Sequence, residues 1–274
     1  MTGPTALELL WGAQRRPRRG PKPSLSLERI VAEAIALADS EGLDSLSMQR
    51  LAERLGCTKM ALYRYVPGKA ELIALMLDEA MGNAPDLVAT AKNSTEEPWR
   101  AQMRAWTVTT FEWQRAHPWT LEVILRSRLF GPNEIGWMEA ALAALAPLAE
   151  RGLTGPERLD ALVLFAGHAR SLAQAAIGGN TGDLETEMAR QLTETLASRA
   201  ADFPHTLAAF TEPGPPETRD NALHFGIDRI LDGLAALIAP QPGHHPPARR
   251  ATPVASNDTL KARGGGTVST VSDA

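Results

Sequence analysis

The chain has 274 residues and a single cysteine, Cys57, which excludes an internal disulfide framework and fits a reducing compartment. Hydrophobic residues make up 44% and aromatics only 5%, an ordinary composition for a soluble chain that leans towards helix. No apolar run approaches the roughly 18 residues of a membrane span, and no signal-peptide layout opens the chain, so the expected address is the cytoplasm. The net charge of −4 hides a split: residues 15–69 hold eleven Lys/Arg against six Asp/Glu, whereas residues 70–239 carry −10. A basic unit on an acidic body points to a polyanion partner at one end, although basic stretches near termini are also often merely solvated.

In chain order, Thr5 to Gly12 form a short apolar patch, read as a helical turn that docks on the body or on the partner. The arm that follows carries Arg15, Arg16, Arg18 and Arg19 around Pro17, a composition that cannot build a packed core. Such an arm can lie along phosphates or enter a narrow minor groove. Ser26 then caps a predicted helix with Ile30, Ala34, Leu37 and Ala38 on its inner face and Gly42 as its stop. Ser47 caps a second helix that buries Met48, Leu51, Ala52 and Leu55 and ends at Gly56. About three residues later a third begins, with Ala61, Leu62 and Tyr65 inward and Lys59, Met60, Tyr63 and Arg64 outward. Two short helices across a tight glycine turn make a helix-turn-helix. Its outer face suits a major groove: cations meet phosphates or guanine edges, tyrosine hydroxyls reach phosphates and Met60 touches a thymine methyl. Cys57 reads as a small residue packed in the turn, with no second cysteine to resolve an oxidised one.

The stretch "EGLDSLSM", the following "LYRYV" and the "GK.EL" after it resemble the DNA-binding domain of the tetracycline-repressor (TetR) family, over residues 25–80. The arm with its leading LELLWG resembles the N-terminal extensions of actinobacterial members, and "HFGIDRILDGLAAL" resembles the family's C-terminal half. The resemblance implies DNA-facing roles for Thr58, Lys59, Met60, Tyr63 and Arg64, with Tyr65 at the edge. It implies second-helix contacts from Ser47 and Gln49 and a phosphate contact from Lys69. Arg64 stands where the tetracycline repressor has an aromatic residue and Gln49 where it has an arginine, so that repressor's operator cannot be borrowed.

The remainder, residues 81–239, reads as about six helices, and the whole fold as all-α. Predicted segments run over residues 95–118, 120–128, 133–152 with a kink at Pro147, 155–179, 183–201 and 220–239. Met103, Trp106, Thr110, Trp113 and His117 share one helix face at spacings of three and four. That stripe is either core or the wall of a pocket for an apolar ligand. The resemblance favours an effector, with Phe165 and His168 lining the pocket from a neighbouring helix. The 155–179 segment is apolar on two sides, through Leu162, Ala166, Ala169 and Ala173 on one and Phe165 and Leu172 on the other. The last helix carries a stripe of Ile227, Ile230, Leu231 and Leu234. Both segments can pack within one bundle; the resemblance implies that these residues instead build a four-helix homodimer interface.

Residues 240–274 are polar and of low complexity, and are expected to form a disordered tail. His244 and His245 lack the carboxylates or thiols of a metal site. With no phosphate-cradling loop, paired cysteines or assignable Ser-His-acid set, neither catalysis nor a cofactor is expected. The expected protein is a homodimeric repressor released from a palindromic operator by a small apolar effector, working away from membranes. A ligand-independent architectural DNA-binding protein, or a helical enzyme, is the alternative.

Overall fold

A computed structural model describes residues 5–12, 25–126, 128–177, 187, 190–196, 198–212 and 221–239. The arginines of the basic arm and the tail from residue 240 lie outside the described residues. Among the described residues there are helices and no strands.

A short helix α1 (Ala6–Trp11) opens the chain, with Thr5 and Glu8 forming a reciprocal capping box. It docks on the body: Leu10 is buried and the Trp11 indole donates to the Phe130 carbonyl at 2.9 Å. The head comprises α2 (Leu27–Glu41), α3 (Met48–Leu55), α4 (Lys59–Tyr63) and α5 (Lys69–Met81). Ser26, Ser47 and Thr58 cap the first three, each hydroxyl oxygen accepting from a backbone N–H three residues on. Gly56, at φ +67° and ψ 33°, makes the left-handed turn between α3 and α4, a conformation that costs other residues strain. Ile30, Ala34, Leu37, Leu51 and Leu62 have no exposed surface and form the centre of the head. Cys57 packs half-buried against that core.

The body holds α6 (Leu87–Ala91), α7 (Pro98–Ala116), α8 (Thr120–Ile124), α9 (Pro132–Leu145), α10 (Gly155–Ala176), α11 (Pro204–Thr211) and α12 (Ala222–Ile238). At Pro147 the chain narrows to a 3-10 turn, Ala146–Ala149, because proline cannot continue the α-helical hydrogen bonding. The α6 and α11 segments are too short to show helical periodicity, and the pattern reading missed them. Of the predicted 183–201 helix, residues 190–196 are helical and most of its N-terminal part lies outside the described residues. Helix α7 runs beside both α10 and α12; Arg100 pairs with Asp232 at 2.6 Å and Arg104 with Asp228 at 2.7 Å, so α7 and α12 are antiparallel.

Candidate nucleic-acid interface and effector body

The head sorts its cations. Arg50 pairs with Glu41, and Arg54 with Glu33 at 2.6 Å, on the side where α2 meets α3. Lys59, Arg64 and Lys69 pair with no carboxylate among the described residues. All three are exposed, as are Thr58 and Tyr63, and Met60 is 72% exposed. The Lys59 ammonium stands 5.8 Å from the centre of the Tyr63 ring. Unneutralised positive charge is therefore concentrated on α4 and the first turn of α5. Ser47 and Gln49 are exposed at the start of α3, where Gln49 donates to Glu53 at 2.7 Å. The Ser47 and Thr58 oxygens accept the cap bonds, which leaves each hydroxyl proton available to a phosphate.

Tyr65 keeps the inward ring expected of it, but its hydroxyl departs from the expected phosphate contact. Its ring is half-buried and its hydroxyl donates to the Leu25 carbonyl at 2.9 Å. A phosphate oxygen only accepts, so this proton is already spent, and Tyr65 fixes the root of α2 against α4 instead.

Two carboxylates of the head hold the body. Asp39 on α2 accepts from the Trp119 indole at 2.7 Å and pairs with His117 Nδ1 at 2.8 Å. Asp78 on α5 accepts from the Asn133 and Glu134 backbone at 2.9 and 3.3 Å, capping α9 from outside its own chain segment. Burial raises the Asp78 carboxyl above its usual range, against the pull of those two N–H donors. Neither carboxylate shows in the pattern of the sequence, because its partners stand more than 50 residues away.

The aromatic stripe on α7 does not form one ligand wall. From Met103 to His117 the helix rises about 21 Å. Trp106 donates to the Trp137 carbonyl at 3.0 Å and Trp113 to the Ala80 carbonyl at 2.8 Å. His117 is held by Asp39 at the head, whereas the Nε2 of His168 lies 3.0 Å from the Leu223 carbonyl of α12. All six tryptophan N–H groups have protein partners. Five of the indoles thus seal contacts between elements, while Trp99 bonds Glu97 at the start of its own helix, and the N–H groups of Trp106 and Trp113 and the Nδ1 of His117 are already engaged by the protein. Met103, Thr110 and Phe165 are buried between α7 and its neighbours.

Residues 30–76 match the description "Bacterial regulatory proteins, tetR family", and residues 93–238 match "Tetracyclin repressor-like, C-terminal domain". The chain belongs to the TetR family. It is 39% identical over 249 residues to the HTH-type transcriptional repressor DrrR1 of Streptomyces coeruleorubidus, covering 88% of each chain. An HTH-type transcriptional regulator of Saccharopolyspora erythraea is 29% identical over 221 residues, 78% of this chain and 86% of that one. Among solved structures, the TetR family protein ActR of Streptomyces coelicolor, in complex with actinorhodin, superposes with a TM-score of 0.62 at 26% identity. The alignment covers 80% of this chain and all of that one. The protein is a helix-turn-helix transcriptional regulator and not an enzyme, as its TetR relatives are.

Within this TetR body the expected dimer residues need correction. Ala169, Ala173, Ile227 and Leu231 have no surface left in the single chain, and Leu162 and Leu234 retain only 8%. Those stripes are spent joining α10, α12 and α7 to one another. The outward faces are carried by other residues: Leu159 and Val163 on α10, Phe225 and Leu237 on α12, with Ala166 and Ile230 at the margins. Val163 is 69% and Phe225 63% exposed. Among the described residues, no helix is long and apolar enough to cross a membrane.

Proposed function

We propose that the chain is a homodimeric repressor that leaves a near-palindromic operator when a small, mainly apolar effector binds in the body. The observation that carries the DNA assignment is the set of unpaired cations on α4 and α5, beside head arginines that are neutralised. In this reading the head, residues 25–80, presents Ser47, Gln49, Thr58, Lys59, Met60, Tyr63, Arg64 and Lys69 to DNA. The arginines of the arm add phosphate contacts. The body, residues 81–239, holds the effector and the second copy, and the protein works in the cytoplasm with its DNA.

The outward apolar faces of α10 and α12 support the homodimer, since large residues such as Val163 and Phe225 are costly to leave in water. Two copies related by a two-fold axis would set their α4 helices about 34–36 Å apart, matching successive major grooves. ActR was crystallised with actinorhodin, which supports a small-molecule effector here. The effector acts only through its different affinity for the operator-competent and incompetent spacings of the two heads. By linkage, operator must weaken effector binding by the same factor.

Selection of bound DNA from a random pool tests the reading directly. Two-fold symmetric sites bound by two chains are expected; a short asymmetric site bound by one chain refutes it. Deleting residues 1–22 should lower affinity and flatten its salt dependence, because fewer counterions are released. An unchanged salt slope would remove the arm from the interface.

A further inference from the structure

Four polar side chains are buried among the described residues: Thr107, Thr110, Gln114 and Thr120. The first three lie on α7 at spacings of three and four, one short stripe along the helix that packs against α10. The threonine protons are used locally. Thr107 donates to the Met103 carbonyl at 2.7 Å and Thr110 to the Trp106 carbonyl at 2.8 Å. Thr120 likewise donates to the His117 carbonyl. Gln114 differs: it is 3% exposed and its Oε1 has no hydrogen-bond partner.

A carbonyl oxygen taken from water without a replacement donor is destabilising, and native proteins leave few of them. The same position would accommodate leucine or methionine without that cost. We propose that Gln114 is the polar recognition group of the effector site and accepts a hydrogen bond from a hydroxyl or N–H of an otherwise apolar ligand. The proposal rests on the reading that the body holds an effector, and it specifies the chemistry of that effector. The Thr107 and Thr110 hydroxyls are committed as donors but their oxygens retain lone pairs, so the stripe presents acceptors at three positions over about two turns. Helix rise places Thr107 and Gln114 about 10.5 Å apart, the length of a molecule of two or three fused rings. Met103, one turn before Thr107, and the fully buried Phe165 of α10 belong to one apolar core and supply the apolar surroundings. No cation belongs to the stripe, so a carboxylate ligand does not fit it. A phenol, alcohol or amine does.

The probes are 1,5-dihydroxynaphthalene and its dimethyl ether 1,5-dimethoxynaphthalene, which share one ring system and differ in their donors. Titration calorimetry on the full-length protein should show the dihydroxy compound binding about tenfold tighter. Gln114→Leu should bring the ratio to about one, with the ligand-free Tm unchanged or higher because the stranded oxygen is gone. Gln114→Met, close in length, repeats the measurement if the leucine variant folds poorly. Three results overturn the assignment: no preference in the wild type, a ratio retained in both variants, or a ligand-free Tm lowered in both. The last would mean that the oxygen has a structural partner. Operator affinity measured in parallel separates the two readings. A ratio that depends on Gln114 without release of operator sinks effector control and leaves the Gln114 assignment standing.

Discussion

Gly131→Ala isolates one contact between head and body. Gly131 sits at φ −86° and ψ 169°, extended backbone that alanine adopts freely, so the substitution adds no backbone strain. A Cβ there would stand 2.0 Å from Asp78 Oδ1, 2.3 Å from its Cγ and 2.8 Å from its Cβ. Asp78 must therefore swing away, and the Asn133 and Glu134 N–H groups lose their acceptor. Loss of a side-chain cap at a helix N-terminus costs about 0.5–2 kcal/mol. At roughly 2–4 °C per kcal/mol for a chain of this size, the Tm should fall by about 1–8 °C. Thermal unfolding followed by far-ultraviolet circular dichroism measures it. Asp78→Ala should give a similar loss, and the double variant should fall little further, because both substitutions break one interaction. A wild-type Tm for Gly131→Ala would show that the cap contributes nothing to holding α9 on α5, and losses that simply add would show that the two substitutions do not break one shared interaction.

The remaining predictions concern assembly, DNA and pH. Val163→Asp combined with Phe225→Asp should give monomers in sedimentation, whereas Leu231→Asp should unfold the chain, since Leu231 is wholly buried. A dimer that survives the double substitution would place the interface elsewhere. Lys69→Ala should weaken all operator sequences alike and reduce the salt slope by about 0.9, the value for one phosphate on duplex DNA. Arg64→Ala should instead change which sequences are selected, and unaltered selection would assign Arg64 to the backbone. Arg104, through its paired hydrogen bonds, holds the Glu96 carboxyl below its usual value of 4.5. The folded chain thus gives up this proton more readily than the unfolded chain, and the stabilisation is present above about pH 4.5 and lost as pH falls. Glu96→Gln should be less stable than the wild type at pH 7 in urea unfolding, with the gap narrowing below pH 4.5; a constant gap would contradict the ion-pair origin.

The head was readable because its determinants are local. Ser26, Ser47 and Thr58 satisfy N–H groups three residues away, Gly56 turns the chain within one residue, and Met48, Leu51, Ala52 and Leu55 recur at helical spacing. The body's helices were mostly readable by the same periodicity, but their allegiances were not. An apolar stripe specifies that a helix face avoids water, not which neighbour covers it. Ala169, Ala173, Ile227 and Leu231 fit a partner copy as well as their own chain, and only packing assigned them inward, leaving Val163 and Phe225 outside. The aromatic stripe was ambiguous for a related reason. An indole N–H looks available until its acceptor is found, and the Trp106 and Trp113 acceptors lie 31 and 33 residues away. Gln114 illustrates the same limit: its residue type says only that hydrogen bonds are wanted, and the packed fold alone leaves its oxygen buried and unpaired. Local rules set dihedrals and faces over a few residues, whereas burial and hydrogen-bond satisfaction are properties of everything the chain brings together.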